Sequence, residues 1–107
     1  MANDPDSLVT IGDTWFAVRG WRRTYPDRPF VGIRVDHDEI WVACEAKTEG
    51  RPIPTEARAE LQNLFEQAGR GAWVDEDVLL FHAASLREAH RVTRRAVTIL
   101  RSHGLRP

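Results

Sequence analysis

The sequence predicts an α+β fold: an antiparallel sheet of about four to five strands with two helices packed on one face, in the order β-β-β-(β)-α-β-α. Three observations carry this. Val31, Ile33 and Val35 alternate with Gly32 and Arg34, and Ile40, Val42 and Cys44 with Trp41 and Ala43, around Asp36-His37-Asp38-Glu39, so each strand has one consistently apolar face, the pattern of a sheet wetted on one side. Ala57, Leu61, Leu64, Phe65 and Ala68 follow at helical spacing. A second helical pattern, from Leu86 to Leu100, closes a chain whose extended patterns crowd its first half.

Taken in order, residues 1–7 are polar, contain Pro5, and read as a disordered tail ahead of a single domain over 8–107. Leu8 to Gly20 is extended, with a turn at Gly12-Asp13 before Trp15-Phe16-Ala17-Val18. Trp21 to Pro29 is a polar excursion whose two prolines exclude a central strand. The 31–45 hairpin follows, and then Lys47 to Pro54, a loop rich in breakers. Thr55 is the expected N-cap of the first helix and Gly69 its C′ residue. Ala72 to Ala83 is extended, with Asp75-Glu76-Asp77 splitting it into a tight hairpin. Ser85 caps the last helix and Gly104 stops it. The expected core is Phe16, Val18, Val31, Ile33, Val35, Val42, Leu61, Leu64, Phe65, Leu80, Val92, Ala96 and Leu100.

The 107 residues carry a formal charge of −1, so the molecule as a whole exerts no long-range pull on nucleic acid or anionic membrane. The charge is segregated, however. Residues 1–84 hold nine bases and fifteen acids (−6), while residues 85–107 hold six bases and one acid (+5). No apolar run reaches membrane length, and the first seven residues hold acids where a signal peptide needs bases. Cys44, the one cysteine, sits in an apolar run and reads as a buried inert thiol, so a reducing cytoplasm fits best. Fourteen of the fifteen basic residues are arginine. Arginine suits bidentate pairing with carboxylate or phosphate, but a bias this uniform also fits a GC-rich, bacterial coding sequence.

Two surfaces stand out as candidates for partner contact. On the last helix Arg87, Arg91, Arg94 and Arg101 fall along one line, opposite Leu86, Ala89, Thr93, Ala96, Val97 and Leu100. Around the first polar excursion, Trp21, Arg22, Arg23 and Tyr25 combine the residue types that dominate protein hot spots. In this reading Trp21 and Tyr25 anchor, and Arg22, Arg23, Arg87, Arg91 and Arg94 pair with acids of the target. The alternatives are a solvated arginine face on a helix held by its apolar side, and a satellite core position for Trp21.

No cofactor motif is present. The acidic turn at 36–39 matches no calcium loop, and one cysteine with scattered histidines supplies no zinc set. No Gly-x-Ser-x-Gly elbow occurs, and Gly69-Arg70-Gly71 ends a helix rather than opening one, so an enzyme is not expected. The expected function is a small cytoplasmic protein-binding or regulatory module of inhibitor, immunity or adaptor type, with an acidic protein partner. A nucleic-acid-binding module using the same C-terminal arginines is the second reading; its weakness is a pI of about 6.4. A homodimer, with the 36–39 acids against the arginine line of another copy, fits either.

Overall fold

The hairpin at the centre of the sequence is also the centre of the sheet. The computed structural model describes residues 7–22, 29–48, 51–67, 72–75 and 77–105. Its elements are β1 (Leu8–Thr10), β2 (Trp15–Val18), β3 (Val31–Asp36), β4 (Glu39–Glu45), β5 (Lys47–Thr48), β6 (Arg51–Pro52), α1 (Thr55–Gln67), β7 (Trp73–Val74), β8 (Val78–Ala83) and α2 (Leu86–Ser102). The main sheet is antiparallel throughout, in the order β1-β2-β3-β4-β8-β7, and β5 with β6 forms a separate two-stranded ribbon. This is the α+β class, with both helices on one face of the sheet.

Register decides which side chains share that face. Phe16, Ile33, Val42 and Phe81 stand opposite one another across β2, β3, β4 and β8. Val31, Cys44 and Leu79 form the next row, and Val35, Ile40 and Ala83 the one on the other side. Helix α1 lies over β8 and β7, and α2 over β3, β4 and β8, with the two helices touching. Ala57, Leu61 and Phe65 of α1 and Ala89, Val92, Ala96, Val97 and Leu100 of α2 join these rows in one buried cluster. Phe65 meets Phe81 edge to face at 6.2 Å, a geometry worth about 0.5–1.5 kcal/mol beyond the area it buries.

The β3–β4 turn is shorter than its acidic run suggests. Only His37 and Asp38 lie outside the strands, and His37 takes a φ of 54°, the left-handed conformation that a two-residue hairpin demands. The β7–β8 turn is closed by Asp75 N donating to the Val78 carbonyl (2.9 Å) and Asp77 N donating to the Asp75 carboxylate (3.3 Å).

Several expectations are corrected. Ser7 is no loose tail residue, since Arg19 N donates to its carbonyl at 2.7 Å and Arg19 Nε to its hydroxyl at 3.1 Å; residues 1–6 lie outside the described residues. The 47–54 stretch is not a plain loop, because it contains the β5–β6 ribbon. Thr55 is the first helical residue rather than the cap, and the Pro54 carbonyl accepts the first bond, from Arg58 N at 3.0 Å. Gly69 falls outside the described residues. Leu80 faces away from the core, which takes Leu79 and Phe81 instead, because Val78-Leu79-Leu80-Phe81 is apolar at every position and its phase is not readable from period alone. Phe16, Val35 and Leu64 are half-buried against the cluster, and the other nine expected core residues are buried.

Candidate functional site

Helix α2 is built as its sequence demands. Ser85 Oγ accepts from Glu88 N at 3.1 Å, which satisfies an orphan donor of the first turn, while the Glu88 carboxylate reaches back to accept from Ala84 N, just before the cap, at 2.6 Å. At the other end Gly104, with φ at 88°, donates to the Arg101 carbonyl (3.0 Å) and Leu105 N donates to the Leu100 carbonyl (3.0 Å). That is a Schellman cap, sealed by Leu105 packing on the core. His103 and Glu60 form an ion pair that ties the end of α2 to α1. A helix fixed at both ends holds its outer face rigidly.

That outer face carries Arg87, Arg91, Arg94 and Arg95, all exposed. Arg91 reaches Glu88 at 3.7 Å, and among the described residues Arg87, Arg94 and Arg95 meet no carboxylate. Exposed arginines of this kind contribute little to stability. The inner face does what the sequence assigns to it, with one exception: Leu86 is 55% exposed.

Leu86 is exposed because the sheet is wider than its cover. Two helices side by side span about 20 Å, or some four strands at about 4.8 Å spacing. The sheet has six strands, and neither helix lies over β1 or β2 to any extent comparable with its cover of β3, β4 and β8. The inner face at that edge therefore stands open beside the first turns of α2. A groove of about 440 Å³ results, lined by Leu8, Phe16, Ile33, Leu86, Arg87 and His90. Its floor is apolar, and its α2 wall carries Arg87 and His90.

Sequence reasoning assigned Arg87, Arg91 and Arg94 to this surface but missed Leu8, Phe16, Leu86 and His90. The available signal was arithmetic, with too many strand patterns for two helices to cover. The second candidate surface is not assembled as expected. Trp21 ends a short 3-10 turn (Arg19–Trp21) and is 0% exposed inside the main cluster, so it is a core residue and cannot anchor a partner directly. The reason is its position just after Val18, where the chain turns inward over the apolar face instead of staying in the polar excursion. Among the described residues its Nε1 has no hydrogen-bond partner. Arg22 is exposed, and Arg23 and Tyr25 lie outside the described residues.

The outer face of the sheet carries a cross-strand row of Trp15, Arg34, Trp41 and His82. Trp41 stacks on His82 (4.7 Å between ring centres, 20° between planes), and Trp15 meets Phe30 edge to face at 5.7 Å. Arg34 is held by Asp36 at 2.8 Å. His82 on this face and His90 on α2 stand on opposite sides of the sheet and share no cleft. Burial pushes the Cys44 thiol from 9.0 up to about 12, with the Glu45 carboxylate adding to the shift, so it offers no thiolate near neutral pH. Among the described residues no three His, Cys, Asp or Glu side chains are grouped to hold a metal ion. No helix is long and apolar enough to cross a membrane. No family of known proteins, no curated protein and no solved structure matches this chain.

Proposed function

We propose that this chain is a small cytoplasmic protein-binding or regulatory module of inhibitor, immunity or adaptor type, acting by contact and without catalysis. Its contact surface is the groove between the β1–β2 edge and the first turns of α2. One observation carries this reading: a groove floored by half-buried Leu8 and Phe16 and edged by exposed Leu86 lies directly beside Arg87, which meets no carboxylate among the described residues. A bare apolar concavity rimmed by one sign of charge fits a segment with apolar side chains flanked by acids. Leu8, Phe16 and Leu86 receive the apolar side chains, at about 25 cal/mol for each Å² removed from water. Arg87, Arg91 and Arg94 pair with the flanking carboxylates. Regulation follows by occlusion, since a captured segment is withdrawn from its other contacts.

Nucleic acid would use the same arginines against phosphate. It has no use for the apolar floor, and it would meet the −6 charge of residues 1–84. The two readings separate in one experiment. Tagged wild-type protein and the Leu86→Asp, Arg87→Glu double variant are used to capture partners from nuclease-treated lysate. Leu86 is exposed in the first turn of α2, where an acid favours the helix dipole, so the variant keeps its fold. A protein retained by the wild type and lost from the variant is the expected result. Equal retention on both overturns the proposal, and capture that nuclease removes transfers it to nucleic acid.

A further inference from the structure

The geometry points to strand addition: we infer that the partner segment binds this groove as an extended strand paired with the open edge of β1. The inference rests on the groove being the contact surface, and adds how the segment lies in it. Hydrogen bonding between β1 and β2 runs through alternate residues, with Arg19 N donating to the Ser7 carbonyl and Ile11 N to the Trp15 carbonyl. By the alternation of an antiparallel ladder, Ser7, Val9 and Ile11 direct their backbone groups toward β2. Leu8 and Thr10 direct theirs outward, along an edge that no strand occupies among the described residues. The side chains of these same two residues project onto the inner face, because Leu8 pairs with Val18 and Thr10 with Phe16. One short segment thus presents free backbone groups at the edge and an apolar surface beneath it.

Apart from its three-residue length, the edge also lacks the usual protection. Natural sheets blunt their edges with lysine, proline, bulges or inward charges. Residues 8–11 read Leu-Val-Thr-Ile, uncharged and strand-favouring, with Ile11 45% exposed. The opposite edge, β7, is two residues long and runs into Asp75 and Asp77. A strand laid along β1 would point every second side chain at Leu8, Leu86 and Arg87. The fitting partner is therefore an extended segment with apolar residues at alternate positions and acids beyond them, since the side chains in between turn away from Arg87. A second copy of this chain fits less well. Pairing β1 with β1 across a two-fold axis keeps both inner faces on the same side, and brings Arg87 toward Arg87 of the other copy.

The test uses two fluorescein-labelled peptides of about fourteen residues and identical composition, valine, leucine and threonine with aspartate and glutamate. One alternates apolar residues with threonine and carries acids at both ends, and the other is permuted to helical spacing. The alternating peptide is expected to bind, and to be lost from the Leu86→Asp, Arg87→Glu variant. N-methylation of one set of its alternate amides should weaken binding at least about tenfold while methylation of the other set leaves it unchanged, because only one edge of an added strand is bonded. Thr10→Pro supplies the converse: it removes an outward N–H without touching the bonds to β2, and weakens the alternating peptide by about tenfold with the far-ultraviolet circular dichroism preserved. Preferred binding of the helical peptide, or indifference to both methylation sets while the groove variant still abolishes binding, overturns strand addition and leaves the groove reading standing. Failure of both peptides to bind, or binding unaffected by the groove variant, overturns both. A dimer of the free protein that Thr10→Pro dissociates overturns the assignment of the edge to an acidic partner.

Discussion

Trp21 shows how a single side chain can be legible in chemistry and misleading in place. A tryptophan among arginines and prolines reads as an exposed anchor, yet it fills the core at 0% exposure with its ring nitrogen unpartnered among the described residues. Its removal is therefore a stability event. Trp21→Ala should cost about 3–5 kcal/mol, as large core truncations do, measured by urea unfolding. Trp21→Phe should cost much less, because the lost N–H made no bond among the described residues. If Trp21→Ala left unfolding unchanged and abolished partner capture instead, the core assignment would be wrong. Cys44 makes the opposite case, since its buried, unreactive thiol is legible in the apolar run Ile40 to Cys44. Its folded-state pKa, about 12, lies above the 9.0 of the free thiol, so the native protein keeps its proton where the unfolded chain loses it. The contribution is complete below pH 9.0 and is lost as pH climbs from there toward about 12. Unfolding free energies of wild type and Cys44→Ala, compared across that window, should converge as pH rises. A constant difference would contradict the burial.

Elements were legible where local signals agree with tertiary demand. The 31–45 hairpin and both helices follow from period, and the last helix from its caps as well. The Ser85 and Gly104 assignments hold because capping is local chemistry: four orphan groups at each helix end must find partners whatever lies beyond. Gly104→Ala should cost about 1 kcal/mol, from the positive φ it must adopt and the loosened Leu105 seal, and thermal unfolding will report it as a lowered midpoint. An unchanged midpoint would mean the cap is not formed in solution. Strand β8 was legible as an element but not in phase. Four consecutive apolar residues fit either face, and only pairing with β4 selects Leu79 and Phe81 over Leu80. The β5–β6 ribbon was illegible for a simpler reason: two-residue strands have no period.

At the scale of the whole molecule the sequence reveals segregated charge but not where the positive part lies. Residues 85–107 carry +5 on a helix whose outer face borders the groove, and the rest of the chain carries −6. The groove itself was illegible because it is made of something missing, a helix's worth of cover over β1 and β2, and no single segment encodes an absence. Long-range charge acts on encounter more than on the docked state, and it is screened within about 8 Å at physiological salt. Capture of an acidic segment should therefore slow as salt rises, while its release changes little, as stopped-flow fluorescence can show. Association rates flat across that range would mean that the arginines play no part in recruitment.

Among the described residues the apolar face stays partly open at Leu8, Phe16 and Leu86. A partner that covers it, as proposed, would couple the durability of the protein to how much of that partner surrounds it. At a partner concentration a hundred times its dissociation constant, mass action would add about 2.7 kcal/mol to the native state. That is a large share of the reserve a domain of this size ordinarily holds. A chain starved of its partner would then be the one cleared first by proteolysis, so its abundance in the cell would track that of the protein it serves.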